Sequence, residues 1–355
     1  MIPFGRNSKP LIGLDISSSA VKLVELSRQG SSYRVEAYAA EAMPVGAINE
    51  KTIVDVEAAG EAVRRTVKRS GTRVKHAAIA IGGAAVITKV IQMPAGLKDS
   101  ELGEQIELQA DQYIPFPLEE VRYDYEVLGP AKGGDGEMVE VLLAATRADN
   151  VDQRQAVLDA AGITAKVVDI EAYALENACR LLTHQMPDLG VERTIAIVDF
   201  GATTTTFSVL NDLRIIYTRD QAFGGKQLTE EIMRQYGLSY EEAGKAKKHG
   251  GLPDNYNEEM LQPFMEDMAQ QVNRSLQFFL SSNSQYETLD EVLICGGCSA
   301  ITGVDTLIAE RVGVPTQVGN PFGEMKISSK AKGQLAESDA GALMIACGLA
   351  LRSFD

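Results

Sequence analysis

Apolar and polar positions along the chain follow two periods. Short runs of aliphatic and β-branched residues, closed by Gly, Asp or Ser, predict strands, and stretches with apolar residues every three or four positions predict helices. The first run, LIGLDISSSAVKLVEL at residues 11–26, predicts a buried strand reaching Asp15, a turn of small residues and a second strand. A strand at RVEAYAAEAM, a helix from about Ile53 to Arg69 and the strand HAAIAIG ending at Gly82 complete a βββαβ order. Residues 83–164 break that rhythm. Strand-like VITKVIQMP, a helix near Asp99 to Tyr113, strands VRYDYEVL and MVEVLLAATR, and a helix near Val151 to Ala161 predict an inserted subdomain. Within it, AKGGDGE has the Gly and Asp content of an exposed hairpin turn. AKVVDIEAYALENACRLL predicts a buried strand entering a helix, and MPDLGVER predicts a linker.

After that linker the opening pattern returns. IAIVDFGATTTTFSVL at residues 195–210 again runs apolar strand, aspartate, small residues and β-branched strand, with Asp199 aligned on Asp15. A duplicated hairpin predicts two lobes facing a common cleft, and hence an interlobe ligand. The expected division is a first-lobe core at 1–82, the insertion at 83–164, a return of the first lobe at 165–190 and a second lobe at 191–355 with a helical portion at about 220–288.

Composition narrows the function classes. A chain of 355 residues with 45% hydrophobic content has enough apolar surface for two or three cores. Its formal net charge of −15 opposes binding to a phosphate backbone, so no nucleic-acid partner is expected. No apolar stretch approaches the roughly 18 residues of a membrane span, and MIPFGRNSKP lacks the features of a secretory signal, so a cytoplasmic location is expected. Four cysteines, Cys179, Cys295, Cys298 and Cys347, are too sparse for a disulfide framework, and Cys295-Gly-Gly-Cys298 has no second pair to complete a zinc site.

The paired aspartates carry the chemistry. Carboxylates at two strand ends can hold Mg2+ through water while adjacent hydroxyls and backbone amides receive phosphate oxygens. Ser17 and Ser18 after Asp15, and Gly201, Thr203 and Thr204 after Asp199, are small enough for phosphate to approach the backbone. Either aspartate alone would equally serve as a turn residue. VLICGGCSAITG predicts a strand, a glycine turn at Gly296 and Gly297, and a helix. No G-x-x-x-x-G-K-[ST] loop is present, since Gln227 follows Lys226 in FGGKQLTEE.

GLDISSSAVK, DIEAYALENA, VDFGATTTTFSV, FGGKQLTEEI, LICGGCSAI and AGALMIACGLAL occur in the order of the motifs of the actin-like superfamily, and LQADQYIPFPLEEVRYDYEVLG resembles the insertion of its PilM family. That resemblance implies an α/β bilobed actin-like ATPase fold of two RNase H-like domains with an inserted FtsA-like subdomain in the first lobe. It implies an ATP-binding adaptor of type IV pilus assembly, whose groove between insertion and first lobe receives the amino-terminal cytoplasmic peptide of the inner-membrane protein PilN. Membrane association would then be peripheral, through PilN. Other assembly proteins, including motor ATPases, are further expected partners, and homo-oligomerisation stays open.

Carried over by motif, Asp15 and Asp199 would face Mg2+ and the phosphates of ATP, with Ser17, Ser18 and Lys22 at the first loop and Gly201, Thr203 and Thr204 at the second. Gly224, Gly225 and Lys226 would border the nucleotide, Glu242 and Lys245 would reach ribose and base, and Gly296, Gly297 and Ser299 would complete the adenosine pocket. Glu171, with Asp169 nearby, and Asp199 are the groups for activating water, with weak turnover at most. The partner segment would present Tyr113, Ile114, Phe116, Tyr123 and Tyr125, aromatic anchors stiffened by Pro115 and Pro117. The competing readings are a small-molecule kinase of the same superfamily and an FtsA-like polymerising filament protein.

Overall fold

A computed structural model describes residues 10–49, 51–131, 137–333 and 339–355. The first lobe opens with an antiparallel meander of β1 (Ile12–Ile16), β2 (Ala20–Gln29) and β3 (Ser32–Ala42). The short pair β4 (Ile48–Asn49) and β5 (Thr52–Ile53) leads to helix α1 (Val56–Ser70). Asp55 caps α1 by accepting from the Ala58 N–H, which starts the helix at Val56 rather than Ile53, and left-handed Gly71 ends it. Its buried face, Ala59, Ala62, Val63, Thr66 and Val67, follows the helical period and packs on the sheet. Strand β6 (His76–Ile81) then lies parallel to β1.

The insertion is a three-stranded antiparallel sheet, in the order β7 (Val86–Pro94), β9 (Met138–Arg147), β8 (Val121–Pro130), covered by α2 (Asp99–Gln109). Ile91, Met93, Leu102, Ile106, Val141 and Leu143 form its own core. The hairpin turn expected at 131–137 falls largely on residues 132–136, outside the described residues. Helix α3 (Ala148–Ala160), placed by the sequence with the insertion, contributes Val157 and Leu158 to the first-lobe core against α1. Among the described strands β10 (Thr164–Ile170) pairs only with β6, and it leads into α4 (Glu171–Cys179). As a sheet edge it is half-exposed rather than buried.

The second lobe repeats the plan. Strands β11 (Thr194–Phe200), β12 (Thr205–Asn211) and β13 (Arg214–Gln221) form the meander, followed by α5 (Gly225–Tyr236), α6 (Tyr240–His249), α7 (Gln262–Ser282), β14 (Glu291–Cys295), α8 (Val304–Val312) and β15 (Thr316–Val318). The sheets read β3-β2-β1-β6-β10 and β13-β12-β11-β14-β15, one topology built twice.

The chain then returns to the first lobe, where the sequence reading had kept it in the second. Strand β16 (Lys326–Ile327) pairs with β3, α9 (Ser329–Lys332) follows, and α10 (Met344–Leu351) packs on β1, β2 and α4. Gly13 and Gly348 permit this: a methyl on Gly13 would strike the Ala346 carbonyl, and one on Gly348 the Ala174 carbonyl.

Candidate functional site

Asp15 and Asp199 lie at equivalent ends of β1 and β11 and face each other across the cleft closely enough to interact electrostatically. Lys22, paired with Asp15 across the β1–β2 hairpin, places its ammonium 2.9 Å from the Asp15 carboxylate. Burial works against that charge, yet Asp15 and Asp199 hold the Lys22 pKa above its usual range. Burial also pushes the Asp199 carboxyl up to about 6, against the pull of Lys22. Two carboxylates, one of them bonded to Lys22, do not make an all-protein metal cage, and no cluster of three or more metal-binding side chains occurs among the described residues. The pair suits an octahedral Mg2+ that keeps its waters and a ligand's phosphates.

The loops beside the aspartates are tight turns. The Ser17 N–H and hydroxyl both donate to the Ala20 carbonyl, with Ser18 half-buried at the apex. The Gly201 N–H donates to the Thr204 carbonyl, with Thr203 and Thr204 half-buried. Helix α5 begins against this second turn, the Gly225 and Lys226 N–H groups donating to the Gly201 and Ala202 carbonyls. A side chain at Gly224 would collide with both of those carbonyls, and Gly296, at φ 85°, lies against the Asp199 carboxylate and the Phe200 carbonyl. Glycine therefore sets how closely α5 and the β14 turn approach the aspartate.

Several expected nucleotide contacts are turned elsewhere. The Glu242 carboxylate accepts from the Ser239 N–H at 2.8 Å and hydroxyl at 2.6 Å, capping its own helix, which holds its pKa below the ordinary carboxylate value. Lys245 is exposed on α6, and Lys226 forms a solvated pair with Glu230 at 3.6 Å. Ser299 is buried, its hydroxyl donating to the Gly296 carbonyl at 2.8 Å, whereas Gly297 is exposed. On α6 it is Lys247 that turns inward, to the Gly225 carbonyl at 2.9 Å and the Thr229 hydroxyl at 2.7 Å, where burial lowers its pKa.

Glu171 opens α4 and rests on Gly82, where any side chain would displace its carboxylate. Lys51 lies 2.8 Å from Glu171 and 3.5 Å from Asp220 of β13, so one ammonium joins the two lobes. Asp169 instead bonds Arg352 at 2.8 Å, fastening the carboxy terminus rather than facing the cleft. Above Lys51 opens a cavity of about 520 Å3 between β7 and β9 of the insertion, α4, and β13 of the second lobe. Val90, Glu171, Tyr173, Asp199, Ile216 and Asp220 are among its lining residues.

The aromatic segment lies elsewhere. Ile114 is 2% exposed in the insertion core, out of reach of a docked peptide. Tyr113, Phe116, Tyr123 and Tyr125 pack around that core, Phe116 beneath the Arg147 guanidinium at 5.7 Å and the Tyr125 hydroxyl donating to the Asp99 carbonyl at 3.0 Å. None of the five lines the cavity.

Residues 13–354 match the family of the type IV pilus assembly protein PilM. The chain belongs to the PilM family. A solved chain of a PilM-PilN type IV pilus biogenesis complex is similar at 26% identity and a TM-score of 0.79, over 98% of this chain and 99% of that one. The ethanolamine utilization protein EutJ from Carboxydothermus hydrogenoformans shares the fold at 20% identity and a TM-score of 0.57, over 99% and 91%. The cell division protein FtsA of Pseudomonas aeruginosa is 22% identical over 96% of this chain and 89% of its own length. FtsA of Agrobacterium fabrum is 26% identical over 54% of this chain and 51% of its own, so the chain spans about half of that relative. The fold is thus the bilobed actin-like one with an insertion in the first lobe.

Sequence reasoning missed three residues of this PilM-family cleft: Lys51, Asp220 and Lys247. The strand register locates the second, where the first copy has Ala40. Lys22 stands opposite Asp15 and Thr206 opposite Asp199, and the next strand places Asp220 opposite Thr206, with a 2.7 Å bond from the hydroxyl. Lys51 follows no motif, and only the turn before α1 brings it to the cleft.

Proposed function

We propose that this PilM-family chain is an ATP-bound adaptor of the type IV pilus inner-membrane complex, docking the amino-terminal cytoplasmic peptide of PilN. The observation that carries this reading is the likeness, along nearly the whole of both chains and therefore through the insertion, to a chain of a PilM-PilN complex. In this reading Asp15 and Asp199 hold Mg2+ on the phosphates, and the two hairpin turns with Gly224, Gly225 and Gly296 bring backbone against the nucleotide. Magnesium supplies charge neutralisation between the phosphates and the two carboxylates. Glu171, held by Lys51, is poorly placed to deprotonate water, so turnover is slow and the nucleotide serves to clamp the lobes. The peptide occupies the cavity between insertion, α4 and β13, tethering the protein to the inner membrane.

Titration of a labelled PilN amino-terminal peptide into the full chain, with and without Mg-ATP, tests this. Saturable binding, weakened at least tenfold by Val90→Asp in the cavity wall and made indifferent to ATP by Asp199→Ala, is the expected result. Absence of saturable binding in either nucleotide state would refute the adaptor reading.

A further inference from the structure

On a chain of formal net charge −15, one face of the first lobe is cationic. Helix α1 ends in Lys68 and Arg69, and Arg73 follows, exposed. Lys330 of α9 crosses to the same end, donating to the Gly71 carbonyl at 2.6 Å. At the sheet edge, Lys326 of β16 stands in register beside Arg34 of β3. Among the described residues, Glu36 lies 3.7 Å from Arg34 and Glu41 2.8 Å from Arg69, and Asp339 also acts on Arg69.

We infer that this face is a docking surface for an anionic lipid bilayer. Two observations select a bilayer over a soluble polyanion. The cations come from three separated stretches of chain and converge on a helix end and a strand edge rather than along a groove that could track a nucleic-acid strand. The rest of the molecule carries the negative excess and is repelled by the same surface, which favours approach by this face. The inference rests on the reading that the protein works beside the inner membrane, and it adds a direct contact to the peptide tether. No helix among the described residues is long and apolar enough to cross a membrane, so the contact is one of surface charge.

Sedimentation of the full chain with vesicles of phosphatidylcholine alone, or mixed with phosphatidylglycerol, tests the inference without any peptide. Binding to the mixed vesicles alone is expected, fading as added salt shortens the screening length towards about 8 Å. Each cation near such a surface contributes roughly fivefold in partitioning, so Lys326→Glu with Lys330→Glu loses at least about 25-fold, while Lys98→Glu on the insertion binds as the parent does. Lys68→Glu with Arg73→Glu gives the same loss should the first pair fold poorly. Equal binding to both vesicle types, binding unchanged in both double variants, no binding, or tighter capture of a duplex DNA oligomer would each overturn it. Peptide titration of the same variants in solution stays at the parent value, which separates failure of this inference from failure of the adaptor reading.

Discussion

Asp199 concentrates the electrostatics of the cleft on one side chain. Its folded pKa of about 6 exceeds an unfolded value of about 3.9, so the folded state holds the proton more tightly across that window. Stability therefore falls as pH rises from about 4 through 6 and levels off beyond. Asp199→Asn removes the cost of the buried charge. Without nucleotide it should melt higher than the parent at about pH 7.5, by on the order of 2 kcal/mol, and match it near pH 4; calorimetry at the two pH values checks this. Mg-ATP affinity of the parent should fall below about pH 6, because a protonated Asp199 no longer faces the cation. The aspartates were legible in the sequence because the hairpin is repeated, and a repeat exposes what a single copy hides. Glu242 was not, because a carboxylate three residues after a serine is a helix cap as readily as a ribose ligand, and local hydrogen bonds with Ser239 prevailed.

At the scale of elements, period placed most strands and helices as far as the second hairpin, since each buries one face against a sheet. They said little about which lobe an element joins. The α10 sequence, apolar almost all round, gave no face to orient, and only its crossing with α4 and β1 fixes it to the first lobe. That crossing depends on contact at backbone distance, so Gly348→Ala should cost about 3 kcal/mol or more in denaturant unfolding, whereas Gly244→Ala, whose added methyl meets open space inside α6, should stabilise by about 0.5–1 kcal/mol. Lys247→Met should loosen α6 from α5 by removing two hydrogen bonds, about 1–2 kcal/mol, visible as faster amide exchange confined to 240–249. A protection pattern unchanged there would mean that the lysine does not fasten α6. The docking segment shows the opposite ambiguity: aromatics at close spacing are what a small core requires, and the insertion, whose core has ten buried apolar residues among those described, draws on them for its own.

Among the described residues the two lobes are joined across the cleft by ion pairs at two places, and these give the molecule its mechanical reading. On one side Lys51 links Glu171 to Asp220 in the wall of the cavity that Asp199 also lines. On the other, Asp339 accepts from the Tyr38 hydroxyl of β3 at 3.0 Å and lies 3.4 Å from Lys248 of α6. A ligand that parts the lobes must break Lys51 from Asp220, while Lys51 and Glu171 travel together on the first lobe. The bridge therefore favours the closed arrangement by the energy of one partly exposed pair, roughly 1 kcal/mol, or about fivefold in the closed population. Lys51→Met should speed release of a fluorescent ATP analogue by about that factor, Asp220→Asn should do the same, and the two together should do little more, since one interaction is being removed twice. The sensitivity of PilN peptide binding to ATP should shrink in the same proportion in all three variants, because the bridge touches both the cavity and the cleft. Additive effects on release would mean that Lys51 and Asp220 act on the nucleotide separately. Faster release with undiminished peptide coupling would place the link between the sites elsewhere, with the Lys248–Asp339–Tyr38 strap the next to cut.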